Sequence, residues 1–213
     1  YSATTPAAVD VTVDPVSFDK RFKTAQNEFT VGEDVVYILE VSLPQGQTND
    51  LHIKDTLPVG LKYLSASITA TNAVKLSDSS PLAILSGPAA NATGALDFDI
   101  GDIDTNAANP KVTIELTTRV QNLTTVDSGD TLTNSGQVTH DNPNGGADVV
   151  TSENANPIVT VIEPVLTIDK KRTGESQADG TNFQSGDEIT YTITVQNTGN
   201  ALELLQLIVR RHQ

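Results

Sequence analysis

The chain has 213 residues, 37% of them hydrophobic and only 4% aromatic, with 27 acidic against 13 basic side chains and a formal net charge of -14. That length suits one domain of ordinary to large size, or one domain and part of another. The charge argues against nucleic acid as a partner, since phosphate binding needs a basic surface. It favours solubility and mutual repulsion instead. With no cysteine in the chain, disulfides and thiolate metal sites are excluded. No apolar run approaches the roughly 18 residues of a membrane span, so no membrane insertion is expected of this segment. A signal peptide is not recognisable, and a chain that begins at Tyr1 reads as a mature or internal fragment.

Residues 1–14 read as an N-terminal arm or linker with a strand-like run at 9–13. Apolar and polar residues then alternate at 16–22, 35–41, 51–57, 61–70, 96–100, 111–120, 131–139 and 158–168, which predicts strands. Turn chemistry separates them at Pro44-Gln45-Gly46, Pro58-Val59-Gly60, Gly101-Asp102, Ser128-Gly129-Asp130 and Asn142-Pro143-Asn144-Gly145-Gly146. No dozen-residue segment carries a helical period. Many short strands with regular turns predict an all-β sandwich.

The chain repeats itself. Residues 16–41 and 166–195 align so that Lys20 meets Lys170, Gly32 meets Gly186 and Tyr37 meets Tyr191, the second copy having extra loop residues. Tandem copies mark an array. The expected organisation is a complete sandwich over 15–157, a short linker at 158–164 stiffened by Pro157 and Pro164, and an incomplete second copy over 165–213. Leu205-Gln206-Leu207-Ile208-Val209 and the tail Arg210-Arg211-His212-Gln213 do not read as the next strand of this module. They are taken as a truncation or a cloning scar.

Three polar residues fall where a strand should bury apolar ones. Lys20 shares parity with Phe18 and Phe22, Asp55 with Leu51, Ile53 and Leu57, and Asn134 with Leu132, Gly136 and Val138. An inward amine, carboxyl and carboxamide are costly unless they meet. If they meet they can react, the Lys20 amine with the Asn134 amide, to give an isopeptide cross-link with Asp55 as proton shuttle. The alternatives are a lysine that snorkels to solvent, an aspartate that starts a turn, an asparagine that satisfies backbone groups, or a buried Lys-Asp ion pair.

Taken together, Asp19-Lys20, Val31-Gly32, Tyr37, Asp55-Thr56-Leu57-Pro58, Gly60-Leu61, Tyr63 and Leu132-Thr133-Asn134 form a pattern. It resembles the conserved repeat domain of bacterial surface proteins known as domain of unknown function 11. It is also similar to the related isopeptide-forming domains of fimbrial subunits. The resemblance implies an immunoglobulin-like β-sandwich of the collagen-adhesin type. It implies, too, that a first-strand lysine bonds to a last-strand asparagine beside a central aspartate, the positions of Lys20, Asn134 and Asp55. Lys170 is the equivalent lysine of the second copy.

Other sites are weaker. Asp97, Asp99, Asp102 and Asp104 are candidate calcium ligands, but Asp97 and Asp99 alternate with Leu96, Phe98 and Ile100 as a solvent face would, and the spacing is not that of an EF-hand. No cofactor is expected. The histidines, His52, His140 and His212, have no serine elbow, phosphate loop or zinc motif beside them. An enzyme with turnover is therefore not expected. The function that follows is a structural module of an extracellular bacterial surface stalk or fibre, partnered by neighbouring repeats or identical subunits. Two further readings stay open. One is a ligand-binding adhesin domain that grips a host or surface ligand through the long stretch 72–95. The other is a filament subunit assembled by strand exchange.

Overall fold

The computed structural model describes residues 15–105, 107–172 and 190–199. The strand expected at 9–13 and the tail from Leu205 lie outside the described residues. The chain divides into two compact units, Tyr1–Val161 and Ile162–Gln213.

Every regular element is a strand: β1 (Ser17–Phe22), β2 (Glu28–Thr30), β3 (Asp34–Ser42), β4 (Gly46–Thr56), β5 (Leu61–Thr71), β6 (Val74–Lys75), β7 (Ala95–Thr105), β8 (Lys111–Val120), β9 (Thr131–Thr133), β10 (Ser135–His140), β11 (Val149–Ser152), β12 (Ile158–Ile162), β13 (Leu166–Arg172) and β14 (Tyr191–Asn197). In the first unit, one sheet has the order β1-β3-β8-β5 and the other β11-β10-β4-β7-β6. A small third sheet, β2-β12-β9, accompanies them. The paired strands run antiparallel. This is the expected all-β, immunoglobulin-like sandwich, with inner faces interdigitating to form the core.

The alternation read from the sequence is the alternation of burial. β3 buries Val35, Tyr37, Leu39 and Val41 and leaves the intervening residues on the outer face. β8 does the same with Val112, Ile114, Leu116 and Val120. Opposite them stand Leu51 and Ile53 of β4, Phe98 and Ile100 of β7, and Val138 of β10. Period-2 patterning thus fixes which face each strand turns inward.

Three expectations change. The run 131–139 is not one strand, because the chain breaks at Asn134 and passes from the small sheet (β9) into the large one (β10). The run 158–168 is two strands, β12 and β13, parted around Pro164, which has no N–H to donate to a ladder. β12 is no linker: it pairs with β9 and buries Val159 and Val161, so the sandwich runs past residue 157. The stretch 72–95, the candidate ligand-gripping segment, is tied into the sandwich. It contributes β6, buries Ala73 and Leu82, and bridges to β7 through Ser86 and Asp99.

Gly60 closes the turn into β5 with φ +107°, a conformation that side chains rarely adopt. A Cβ there would stand 3.0 Å from both Leu132 Cδ1 and Val126 Cγ2. Gly60→Ala combines backbone strain with overpacking, so it should cost about 1–3 kcal/mol. The check is a lower urea midpoint at unchanged denaturant slope.

Candidate functional site

Lys20 lies on β1, an edge strand of the four-stranded sheet, and Asp55 on β4, the central strand of the five-stranded one. Both side chains are fully buried, and Lys20 Nζ donates to Asp55 Oδ2 at 2.5 Å across the sandwich. Gly136 of β10 sits directly opposite Asp55. A Cβ at Gly136 would meet Lys54 O at 3.0 Å and Phe18 Cε1 at 3.1 Å, so a side chain there would crowd the β4 backbone and the Phe18 ring.

Asn134 occupies the break between β9 and β10 and has no solvent exposure. Its backbone N–H donates to Pro157 O at 3.2 Å, which anchors the break to the chain entering β12. Its carboxamide bears on the ionisation of both Asp55 and Tyr37, yet neither Nδ2 nor Oδ1 completes a hydrogen bond. Asp55 Oδ1 and the Tyr37 hydroxyl are likewise without partners. Tyr37 forms the remaining wall, with its ring centroid 5.3 Å from Lys20 Nζ and stacked on Phe22 at 5.3 Å.

Burial governs the titration of this group. Loss of hydration pulls the Lys20 amine below its usual range, and the Asp55 charge only partly restores it. Loss of hydration pushes the Asp55 carboxyl up, against the opposing pull of Lys20 and Asn134. Both shifts run toward the uncharged forms. Tyr37 is raised by the same desolvation and stays a neutral phenol. An amine and a carboxyl both shifted toward their uncharged forms, with an unpartnered amide buried nearby, are the ingredients that acyl transfer to nitrogen would need.

The structure buries Lys20, Asp55 and Asn134, sets Lys20 against Asp55, and puts Asn134 just before Ser135, the β10 partner of Thr56. One expectation drawn from the fimbrial resemblance changes: Asn134 is not on the last strand, because β10, β11 and β12 all follow it in the first unit. Tyr37, read from the sequence only as a repeat marker, belongs to the pocket; its inward parity within β3 was the available signal.

In the second unit, β13 and β14 pair so that Lys170 faces Ile193 and Arg172 faces Tyr191. In β1 and β3, Lys20 faces Leu39 and Phe22 faces Tyr37, the same register. Lys170 Nζ stands 4.3 Å from the Tyr191 ring centroid. Leu166, Ile168, Tyr191 and Ile193 are exposed on that face.

The acidic candidates take a different arrangement. Asp97 and Asp99 alternate with buried Leu96, Phe98 and Ile100 along β7, on its outer face. Asp102 accepts the Asp50 N–H at 3.0 Å, and Asp104 lies further along β7, opposite Gln47. Among the described residues, the convergent group is Asp50, His52 and Asp99, whose ligand atoms lie within 4.8 Å of one another. A surface cavity of about 390 Å³ adjoins it, lined in part by Asp50, Lys75, Asp99 and Asp102. His52 Nδ1 contacts Asp97 Oδ1 at 2.8 Å and Nε2 lies 3.3 Å from Asp50 Oδ1. His140 contacts only a backbone oxygen of its neighbour Asp141 at 2.8 Å, and His212 lies outside the described residues.

No family model matches the chain, and no curated protein matches it. Solved structures do. The 35 kDa C-terminal fragment of the major pilin of Streptococcus agalactiae superposes with a TM-score of 0.50 at 13% identity, over 79% of this chain and 61% of that one. The major pilin subunit of Bacillus cereus gives 0.50 at 10% identity, over 88% of this chain and 56% of that one. At these identities the likeness is one of fold, and this chain spans only part of the length of either pilin.

Partial burial pulls the His52 pKa down, but the Asp97 hydrogen bond and the charges of Asp97, Asp50 and Asp99 outweigh it and leave it raised above 6.5. A raised folded-state pKa gives stability that is fully present below the unfolded value and is lost as pH rises through the folded one. A ring-proton titration followed by NMR should place the His52 midpoint above 6.5, and Asp97→Asn should move it down.

Proposed function

We propose that the chain is a structural module of a bacterial surface stalk or pilus-like fibre, hardened by a self-formed amide between Lys20 and Asn134. The observation that carries this reading is the sealed pocket. Lys20, Asp55 and Asn134 are all buried, the Asn134 carboxamide has no hydrogen-bond partner, and the charged forms of the other two are disfavoured. The fold shared with the two major pilins is consistent with it. Partners would be neighbouring repeats or identical subunits, and the location the outer surface of a bacterium. No helix among the described residues is long and apolar enough to cross a membrane.

The chemistry follows from the uncharged forms. The Lys20 lone pair adds to Asn134 Cγ. Protonated Asp55 stabilises the developing oxyanion, collects the amine proton and relays a proton to the departing nitrogen. The Cγ–Nδ2 bond breaks, ammonia leaves, and a secondary amide remains. This is a single event on the chain's own residues, not turnover. A covalent loop of about 114 residues (134 − 20) results, worth ~3–5 kcal/mol if it acts by restricting the unfolded chain.

A second reading has its own observation. The β13–β14 hairpin repeats the β1–β3 register and exposes an apolar face around Lys170. It reads as the start of a second copy, with Lys170 as the next cross-linking lysine. A neighbouring chain that paired with this hairpin would make the protein a filament subunit. Dilution-resistant polymers in solution would favour that form. Specific glycan or protein binding abolished by changes in 72–95 would instead favour the adhesin-domain reading.

High-accuracy intact mass tests the central claim. The purified wild-type chain should be lighter than calculated by one ammonia, while Lys20→Ala and Asp55→Ala should have their full calculated masses. A wild-type chain at full mass rejects the cross-link.

A further inference from the structure

The chemistry above uses Lys20, Asp55 and Asn134 and leaves Tyr37 without a part. The ring alone could be replaced: it stacks on Phe22 and walls the Lys20 amine, which phenylalanine would do as well. The hydroxyl is what needs explaining. It has no exposure and no hydrogen-bond partner, and stranding a donor in a core is disfavoured. The Asn134 carboxamide is equally buried and unpartnered, and both groups flank the Lys20–Asp55 pair: the Tyr37 ring stands 5.3 Å from Lys20 Nζ, and Asn134 precedes Ser135 and Gly136, the partners of Thr56 and Asp55. A half-turn of that flat amide exchanges Oδ1 and Nδ2 and presents the carbonyl to a donor.

A donor and an acceptor that are adjacent, dry and unsatisfied in the resting fold interact most strongly once charge develops on the acceptor. We propose that the Tyr37 hydroxyl is a second hydrogen-bond donor to the Asn134 side-chain oxygen during cross-linking, so that Tyr37 and Asp55 together hold the oxyanion. This rests on the cross-link reading and assigns it a further catalytic residue. When Lys20 Nζ bonds to Cγ, the carbonyl π pair moves onto Oδ1, and Tyr37 stabilises that oxygen without surrendering its proton. Asp55 carries the transferred proton from Nζ to Nδ2. The oxygen pair then re-forms the carbonyl, and ammonia departs. The Lys170–Tyr191 contact places the same two residue types together in the second hairpin.

The test is a time course of intact mass on full-length chain made by cell-free synthesis, comparing wild type with Tyr37→Phe. The variant should form the same ammonia-deficient product about a hundredfold more slowly, the scale of losing one oxyanion donor. Packing is separated from chemistry by adding Tyr37→Phe to Lys20→Met, a chain that cannot cross-link. There the melting temperature should hold or rise, since only a stranded hydroxyl is removed. A wild-type rate in Tyr37→Phe overturns the proposal and leaves the cross-link standing. A slower rate with a matching fall in melting temperature overturns it in favour of a packing role. A wild-type chain that never loses ammonia removes both the cross-link and this role for Tyr37.

Discussion

Taking an ammonium and a carboxylate out of water costs several kcal/mol for each ion, and their mutual attraction repays this only in good geometry. The Lys20–Asp55 contact is that bargain struck in the middle of a sandwich, with no solvent reaching either side chain. Much of the surrounding architecture follows from keeping it dry. Gly136, opposite Asp55, leaves room for the Phe18 ring beside it. Tyr37 walls the amine, and the break at Asn134 delivers a carboxamide where a continuous strand would have carried a β-ladder. The electrostatic cost is reduced by shifting both groups toward neutrality, the direction in which an amine gains a free lone pair.

The pocket was legible because a strand has period 2. Lys20, Asp55 and Asn134 each interrupt a hydrophobic parity class, and inward groups on facing sheets have few places to go. What stayed hidden depended on pairing rather than pattern. β2, β6 and β11 are two to four residues long and carry too little alternation to announce themselves. β11 lies close behind an Asn/Gly-rich turn whose composition masks it. The run 158–168 is rich in Val and Ile throughout and so reads as one strand, and only the β9 pairing assigns β12 to the first unit. The grouping of His52 with Asp50 and Asp99 rests on cross-strand register through a bulge near Leu51, which composition cannot supply. Tyr37 was visible as a repeated residue, but an unpartnered hydroxyl is a property of the opposing sheet.

The two faces of the large sheet divide the electrostatics. Inside, one carboxyl is pressed toward its neutral form. Outside, Asp50, Asp97 and Asp99 crowd one imidazole and press it toward its charged form. The cause is the same in sign, since each environment selects the state with the least uncompensated charge, and it differs in the presence of water. The outer cluster favours its charged state, while the inner one is pressed toward its uncharged state.

The position of Asn134 ahead of β10, β11 and β12 has a mechanical consequence. Were the chain pulled from both ends with an amide in place at Lys20, tension would enter at β1, cross the bond and leave through the residues that follow Asn134. Everything between the two anchors, including β3, β4, β5, β7 and β8, would lie in a covalently bypassed loop and feel no load. The remaining three strands of the unit would lie in the force path, held by hydrogen bonds and packing alone. The segment that carries them, from residue 135 to Val161, has 27 residues (161 − 134), enough to lengthen the unit by something under ~100 Å if peeled away. Such a unit would be a shock absorber with a fixed stop: extensible over one short tract, then rigid.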